Sequence, residues 1–239
     1  MRLIALFYCL FFFPALAFAQ PQDSLQNEET DTLGVQSPQK GIKYRNRVAL
    51  NPNRLHIGVD LYPLAVTAVE EDFQGATVHV GLSLADRFWV QADAGYEDNN
   101  RQTNSSPFYE YQTSGNFFRL GADYNLSYWK SPRDAFLMGV HFGYASFDQT
   151  VSYSSTNQTW RHIMEEMSAQ GVSCTWVEPR FTLQVRAFDR LSMEAVLGLR
   201  VRAGLSGYAV FPNEVPGLGV LKSRARLSFG YRLCYALDF

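Results

Sequence analysis

Residues 226–239 read RLSFGYRLCYALDF. Every second residue, Leu227, Phe229, Tyr231, Leu233, Tyr235, Leu237 and Phe239, is apolar or aromatic. Between them stand Arg226, Ser228, Gly230, Arg232, Cys234, Ala236 and Asp238, which are polar, small or charged. A period of two belongs to a β-strand, whose successive side chains point to opposite faces. The stretch therefore predicts a strand with one greasy face that runs to the last residue.

The same period recurs upstream. From Leu55 onward eight segments carry it: 55–61, 77–84, 88–96, 117–126, 136–145, 174–187, 191–205 and 226–239. Several have the ~9–11 residues that a tilted strand needs to cross a bilayer. Sorted by parity, one set is free of charge. It runs through Leu55, Ile57, Val59 and Leu61, then Val78, Val80, Leu82 and Leu84, and so on down the chain. The other set carries Asp60, Asp93, Asp123, Glu178, Glu194 and Asp238 against Arg119, Arg180, Arg186, Arg200, Arg202, Arg226 and Arg232.

Any sheet with one wet face segregates in this way. Glycine separates the cases. Gly58, Gly81, Gly95, Gly121, Gly139, Gly143, Gly198, Gly204 and Gly230 all lie in the polar set. Bulk water does not require glycine on a strand face, and glycine weakens strands. The crowded interior of a small closed barrel does require it. The polar set is therefore expected inside and the apolar set outside, with Tyr231, Tyr235 and Phe239 of the closing strand facing lipid. A soluble barrel with a ligand inside an apolar lumen would invert the faces, and the glycine and arginine positions oppose it.

The connections alternate. Short links join 84 to 88, 126 to 136 and 187 to 191, while 62–76, 97–116, 146–173 and 206–225 are long. This predicts an all-β fold, an eight-stranded antiparallel up-and-down transmembrane barrel with short periplasmic turns and long external loops. Closure satisfies every backbone N–H and C=O within the bilayer. Pro179, inside the sixth strand, cannot donate to a ladder, so a bulge or register change is expected there.

The N-terminus agrees with export. Arg2 precedes the apolar run LIALFYCLFFFPALAFA, which closes on Ala17-Phe18-Ala19. Residues 1–19 read as a secretory signal, 20–53 as a polar, flexible periplasmic leader, and 54–239 as the barrel. A net charge of -2 gives no case for nucleic acid.

The order of LHIGVDL, QADAGYED, FFRLGADYNL, GVHFGYASFDQTVS and WVEPRFTLQVRAFDRLSMEAVLGLRVR resembles an uncharacterised family of outer-membrane barrels, the domain-of-unknown-function family 6048. GADYN and GYASFDQT carry the resemblance most specifically, and it spans about Leu55 to Phe239. It implies a signal peptide and a Gram-negative outer-membrane barrel, and brings no activity or catalytic residue. Small OmpA-like eight-stranded barrels are similar in architecture only.

The inward charges form the first candidate site, a lumen network of Asp60, Asp93, Arg119, Asp123, Glu178, Arg180, Arg186, Glu194, Arg200, Arg202, Arg226 and Arg232. Paired, it fills the lumen; loosened, it marks a narrow porin-like path for ions or small solutes. His56, His79 and His141 share the inward parity. Histidines hydrogen-bonded to carboxylates are expected there, with no metal and no other cofactor, because a metal site needs three or four ligands at one height. A lipid-modifying enzyme built on His141, Glu178 and nearby serines is a third reading, but no catalytic motif is present, so no catalytic residue is assigned. TWRHIMEEM in the longest loop has Trp160, Ile163, Met164 and Met167 at helical spacing. It predicts a short helix on the outer leaflet or over the barrel mouth. Cys174 and Cys234 fall at opposite ends of their strands, beyond the ~7 Å that a disulfide spans, so free thiols are expected. The partners expected are outer-membrane lipids and lipopolysaccharide, with the barrel-assembly machinery during biogenesis. A monomer is expected.

Overall fold

Alternation along the chain becomes pairing between strands. The structure, a computed structural model, describes residues 52–103, 108–128, 134–157 and 160–238. The expected signal and nearly all of the expected leader lie outside the described residues, as does Phe239.

Eight strands close a barrel in the order β1-β10-β7-β6-β5-β4-β3-β2. They are β1 (Pro52–Asp60), β2 (Phe73–Leu84), β3 (Phe88–Thr103), β4 (Phe108–Asn125), β5 (Ala135–Asn157), β6 (Trp160–Arg186), β7 (Leu191–Ser206) and β10 (Ala225–Asp238). All eight pairings are antiparallel. The seam between first and last strand runs from Arg54↔Asp238 to Asp60↔Arg232. The last strand therefore pairs with the first, which removes both sheet edges.

The burial pattern follows parity. Val78, Leu120, Phe142, Leu197 and Phe229 are each about half exposed, while His79, Arg119, His141 and Glu178 are buried. On β5 the exposed apolar run Phe136, Met138, Val140, Phe142 and Tyr144 covers nine residues before the outward positions turn polar at Ser146 and Asp148. Aromatic rings mark the rims of this belt. Phe88 meets Tyr124 edge-on at 5.4 Å, and Phe136 stacks on Phe181 at 6.2 Å. Tyr96 and Tyr144 stand at the other rim.

Glycines admit the large inward side chains. A Cβ on Gly143 would collide with the Trp176 indole, and one on Gly121 with the His141 ring. Trp176 and His141 are both fully buried. Their volume is accommodated only because the neighbouring strand offers none.

Four features differ from the sequence expectation. First, the links at 97–116 and 146–173 are largely strand: β3, β4, β5 and β6 run 16, 18, 23 and 27 residues. The β3/β4 and β5/β6 hairpins thus project past the belt. Secondly, residues 160–167 of TWRHIMEEM are strand and not helix, Thr159 lying outside the described residues. They pair along β5, with Val151↔Met167 and Tyr153↔Glu165. The facing stretch QTVSYSSTN is rich in β-branched and aromatic residues and offers a complete ladder. Thirdly, a helix α1 (Leu61–Val69) follows β1, capped by the Asp60 carboxylate, which accepts from the Tyr62 N–H at 3.0 Å. Fourthly, register does not shift at Pro179. The β6–β7 ladder skips Glu178 and Pro179 and resumes in step, while the bulge lies between Thr175 and Trp176. There Ala203 is the extra residue, and beyond it Leu205 turns toward the inner apolar cluster.

The connection 207–224 contains a two-stranded turn, β8 (Glu214–Val215) with β9 (Gly219–Val220). It packs on inward side chains at the long-loop end. Val215, Leu218 and Leu221 form one buried cluster with Phe117, Ala145, Phe147, Val172, Cys174 and Trp176. Gly217, at φ +71, brings its backbone onto the Phe117 ring, where a Cβ would clash. Both the left-handed φ and the close approach call for glycine. A second apolar cluster, Trp89, Ala135 and Leu137, lies at the short-turn end.

Candidate functional site

Between the two apolar clusters lies a layer of charge, and Asp93 is its hub. It stands on β3 opposite Arg119 of β4 and His79 of β2. Its Oδ2 accepts from both terminal nitrogens of Arg180 and from Arg232 Nη2, each at 3.1 Å. Arg119 Nε is also 3.1 Å from Oδ2. Its Oδ1 lies 2.7 Å from His79 Nδ1. One carboxylate thus faces three guanidiniums and an imidazole, and all five side chains are buried.

Glu178 is the second hub. Arg200 Nε donates to its Oε2 at 3.1 Å, and Arg180 reaches Oε1 at 3.2 Å. The Ser228 hydroxyl donates to Oε1 at 3.4 Å. Asp123 holds His141, whose Nε2 is 3.1 Å from both carboxylate oxygens. Alternate inward positions on adjacent strands bring these groups to one height, and glycines between them leave the room.

Of the residues expected in this network, Asp60, Asp93, Arg119, Asp123, Glu178, Arg180, Glu194 and Arg232 are buried, and Arg200 joins them half-buried. Three arginines stand apart, with no ion pair among the described residues. Arg226 is exposed above the layer, packed against Gly219. Arg202 lies beside the bulge with its guanidinium over the Phe211 ring. Arg186 sits near the short-turn end, where its backbone N–H donates to Asp134. The layer is narrower along the barrel than parity alone implies, because strand length carries same-face residues out of it. Asp238 is likewise outside, in an exposed pair with Arg54 at 2.5 Å.

On the closing strand Tyr235 is exposed and its hydroxyl accepts from Arg190 at 3.3 Å. Tyr231 is half-buried, with its hydroxyl on Met193 Sδ. Cys174 and Cys234 are buried free thiols. They pair with Leu205 and Ser192 of the same strand, roughly 40 Å apart at ~3.3 Å per residue.

Sequence reasoning missed the 207–224 connection. Its hydrogen bonds carry it to the barrel wall: the Tyr111 hydroxyl donates to the Glu214 carbonyl, Gln149 to the Val210 carbonyl at 2.5 Å, and the Gly217 N–H to Glu97 Oε2 at 2.9 Å. The signal was present in NEVPGLGVL, where Val215, Leu218 and Leu221 are apolar in a stretch otherwise suited to solvent.

Glu97 lies one residue past the outward belt that ends at Tyr96. Burial pushes its carboxyl up; the Gly217 N–H, Arg200 and Arg119 act the other way, and Glu214 adds to the rise. A carboxyl raised by folding contributes most below its ordinary range and loses that contribution as pH rises through the raised value. Glu97→Gln keeps an oxygen for Gly217 and removes the half-buried charge. The variant is expected to resist urea better than the wild type at neutral pH, and the difference should vanish below about pH 4. Unfolding midpoints at the two pH values check this.

No curated protein matches the chain. The model of one family, described as a domain of unknown function (DUF6048), matches residues 1–239 and so extends beyond the barrel itself. An eight-stranded closed barrel with a charged layer in its lumen is thus the architecture of a chain that belongs to the DUF6048 family.

Proposed function

We infer that the chain is an integral outer-membrane barrel whose lumen is closed to solutes, with a structural or surface-interaction role through the hairpins at its long-loop end. One observation carries this reading. A buried layer of ion-paired side chains crosses the barrel interior while an exposed apolar belt surrounds it. Exposed apolar surface on this scale is rare on soluble monomers and suits acyl chains. Aromatic rims suit the two interfaces. The belt would meet outer-membrane lipids, and the projecting β3/β4 and β5/β6 hairpins would meet lipopolysaccharide or a partner outside. Delivery to the membrane would use the barrel-assembly machinery. The role is non-enzymatic: His141 is buried against Asp123 rather than beside an accessible nucleophile.

The charged layer has apolar clusters on both sides, so ions would meet two apolar constrictions and a buried centre of closely packed charges. Purified protein in planar bilayers is expected to give no stepwise current, and detergent should be needed to extract it from membranes. A clear single-channel step would overturn closure and favour the narrow pore. Release by salt or carbonate alone would overturn membrane integration.

A further inference from the structure

Glu194 is a buried carboxylate whose charged neighbours stand beyond hydrogen-bond length, while the Cys234 thiol lies against it. Its charged neighbours are Arg232 at 3.6 Å, His56 at 3.7 Å and His79 at 3.9 Å, all beyond hydrogen-bond length. Its Oε2 has no hydrogen-bond partner, and neither has His79 Nε2 facing it. Both residues are 1% exposed. The third member of this group is Cys234. One ligand atom from each of His79, Glu194 and Cys234 lies within 4.8 Å of the others.

The register explains the meeting. Gly58 of β1 pairs with His79 on one side and with Cys234 on the other. A Cβ there would stand 2.5 Å from Cys234 Sγ. Without one, the sulfur and the imidazole face each other across the seam strand. Asp93 engages His79 Nδ1 at 2.7 Å. A carboxylate on one ring nitrogen presents the other as a lone pair, the arrangement that supports metal-bound histidines. Arg232 does not neutralise Glu194 alone, because its Nη2 is held by Asp93 at 3.1 Å.

We propose that His79, Glu194 and Cys234 form a binding site for one divalent d-block cation, Zn²⁺ by its ligand chemistry. Imidazole, carboxylate and thiolate are its usual donors at about 2.0–2.3 Å, with a fourth position for water. Binding takes the thiol proton into solvent and leaves a thiolate on the metal. The gathered atoms need to close by about 1 Å to reach tetrahedral separations. The ligands come from β2 on one side of β1 and from β7 and β10 on the other, so the cation staples the seam where the barrel closes. The site rests on the closed barrel and not on its residence in a membrane.

The test uses the whole chain folded in detergent with Zn²⁺ or Co²⁺ present from the start of folding. One metal per chain is expected, with one sulfur at about 2.3 Å by X-ray absorption and a thiolate-to-cobalt charge-transfer band. The sulfur shell should persist in the Cys9→Ser/Cys174→Ser double variant and vanish in Cys234→Ser, with heat-dependent gel mobility reporting the fold. If Cys234→Ser does not fold, the wild type and the double variant still decide, since Cys234 is then the sole sulfur ligand left among the cysteines. Absence of a sulfur shell in the wild type, its loss in the double variant, or its survival in folded Cys234→Ser overturns the proposal. None of these outcomes bears on membrane extraction or conductance.

Discussion

Asp93→Asn is expected to destabilise the barrel by roughly 3–5 kcal/mol, the cost of leaving buried charge without its partner. The substitution preserves shape and removes one negative charge. Arg119, Arg180 and Arg232 all converge on Oδ2. Arg180 and Arg119 keep Glu178, at 3.2 and 3.8 Å, and Arg232 keeps Glu194 at 3.6 Å. With Arg200 already on Glu178, four cations then share two carboxylates among buried side chains. Asp238→Asn is the matched control. Its carboxylate also pairs with an arginine, but its side chain is 55% exposed, so about 0–1 kcal/mol is expected. Urea midpoints followed by the fluorescence of buried Trp89 and Trp176 read both. Equal, small losses would mean that water reaches the guanidiniums and that the lumen is wet. A double cycle with Arg232→Met should recover part of the loss, since the pair shares one interaction.

The same layer explains why parity in the sequence reached the site so directly. Asp93, Arg119, Arg180 and Glu178 alternate with Ala92, Leu120, Phe181 and Val177 on their strands, and a period of two is all that is needed to place them inside. What parity cannot give is height. Arg226 and Arg186 share the inward parity yet sit beyond opposite ends of the layer, because only strand pairing decides which residues meet. The β3–β6 extensions were hidden for a related reason. In EDNNRQTNSSPFYEYQTSG the buried Asn99 and Thr113 are as polar as the exposed Gln102 and Gln112, so alternation carries little contrast although the ladder continues. TWRHIMEEM misled because four apolar residues fit a helical stripe, whereas the pairing partner that overrides it lies in QTVSYSSTN. Helix α1 had a local signal in Asp60 followed by Pro63, an N-cap with proline in the first turn, set inside an apolar stretch that reads equally as loop.

Depth dependence separates a lipid-facing belt from a merely greasy one. Leu120 is outward on β4, half exposed, opposite Ala92 at the middle of the β3 belt. Leu120→Arg is expected to cost about 2–4 kcal/mol if the belt lies in a bilayer, because a guanidinium at mid-depth leaves water or drags water with it. Tyr96→Arg stands at the rim, one residue before the inward Glu97, and should cost about 0–1 kcal/mol. In a soluble barrel both positions are surface sites, and each change should stay within about 0.5 kcal/mol. Reversible unfolding in vesicles, with the two variants and the wild type side by side, reads the difference. The ordering matters more than either value, since general loss of packing would not track depth. A gradient that falls from Leu120 to Tyr96 places acyl chains against the apolar parity; flat, small effects at both positions would leave the closed barrel intact and remove the membrane from around it.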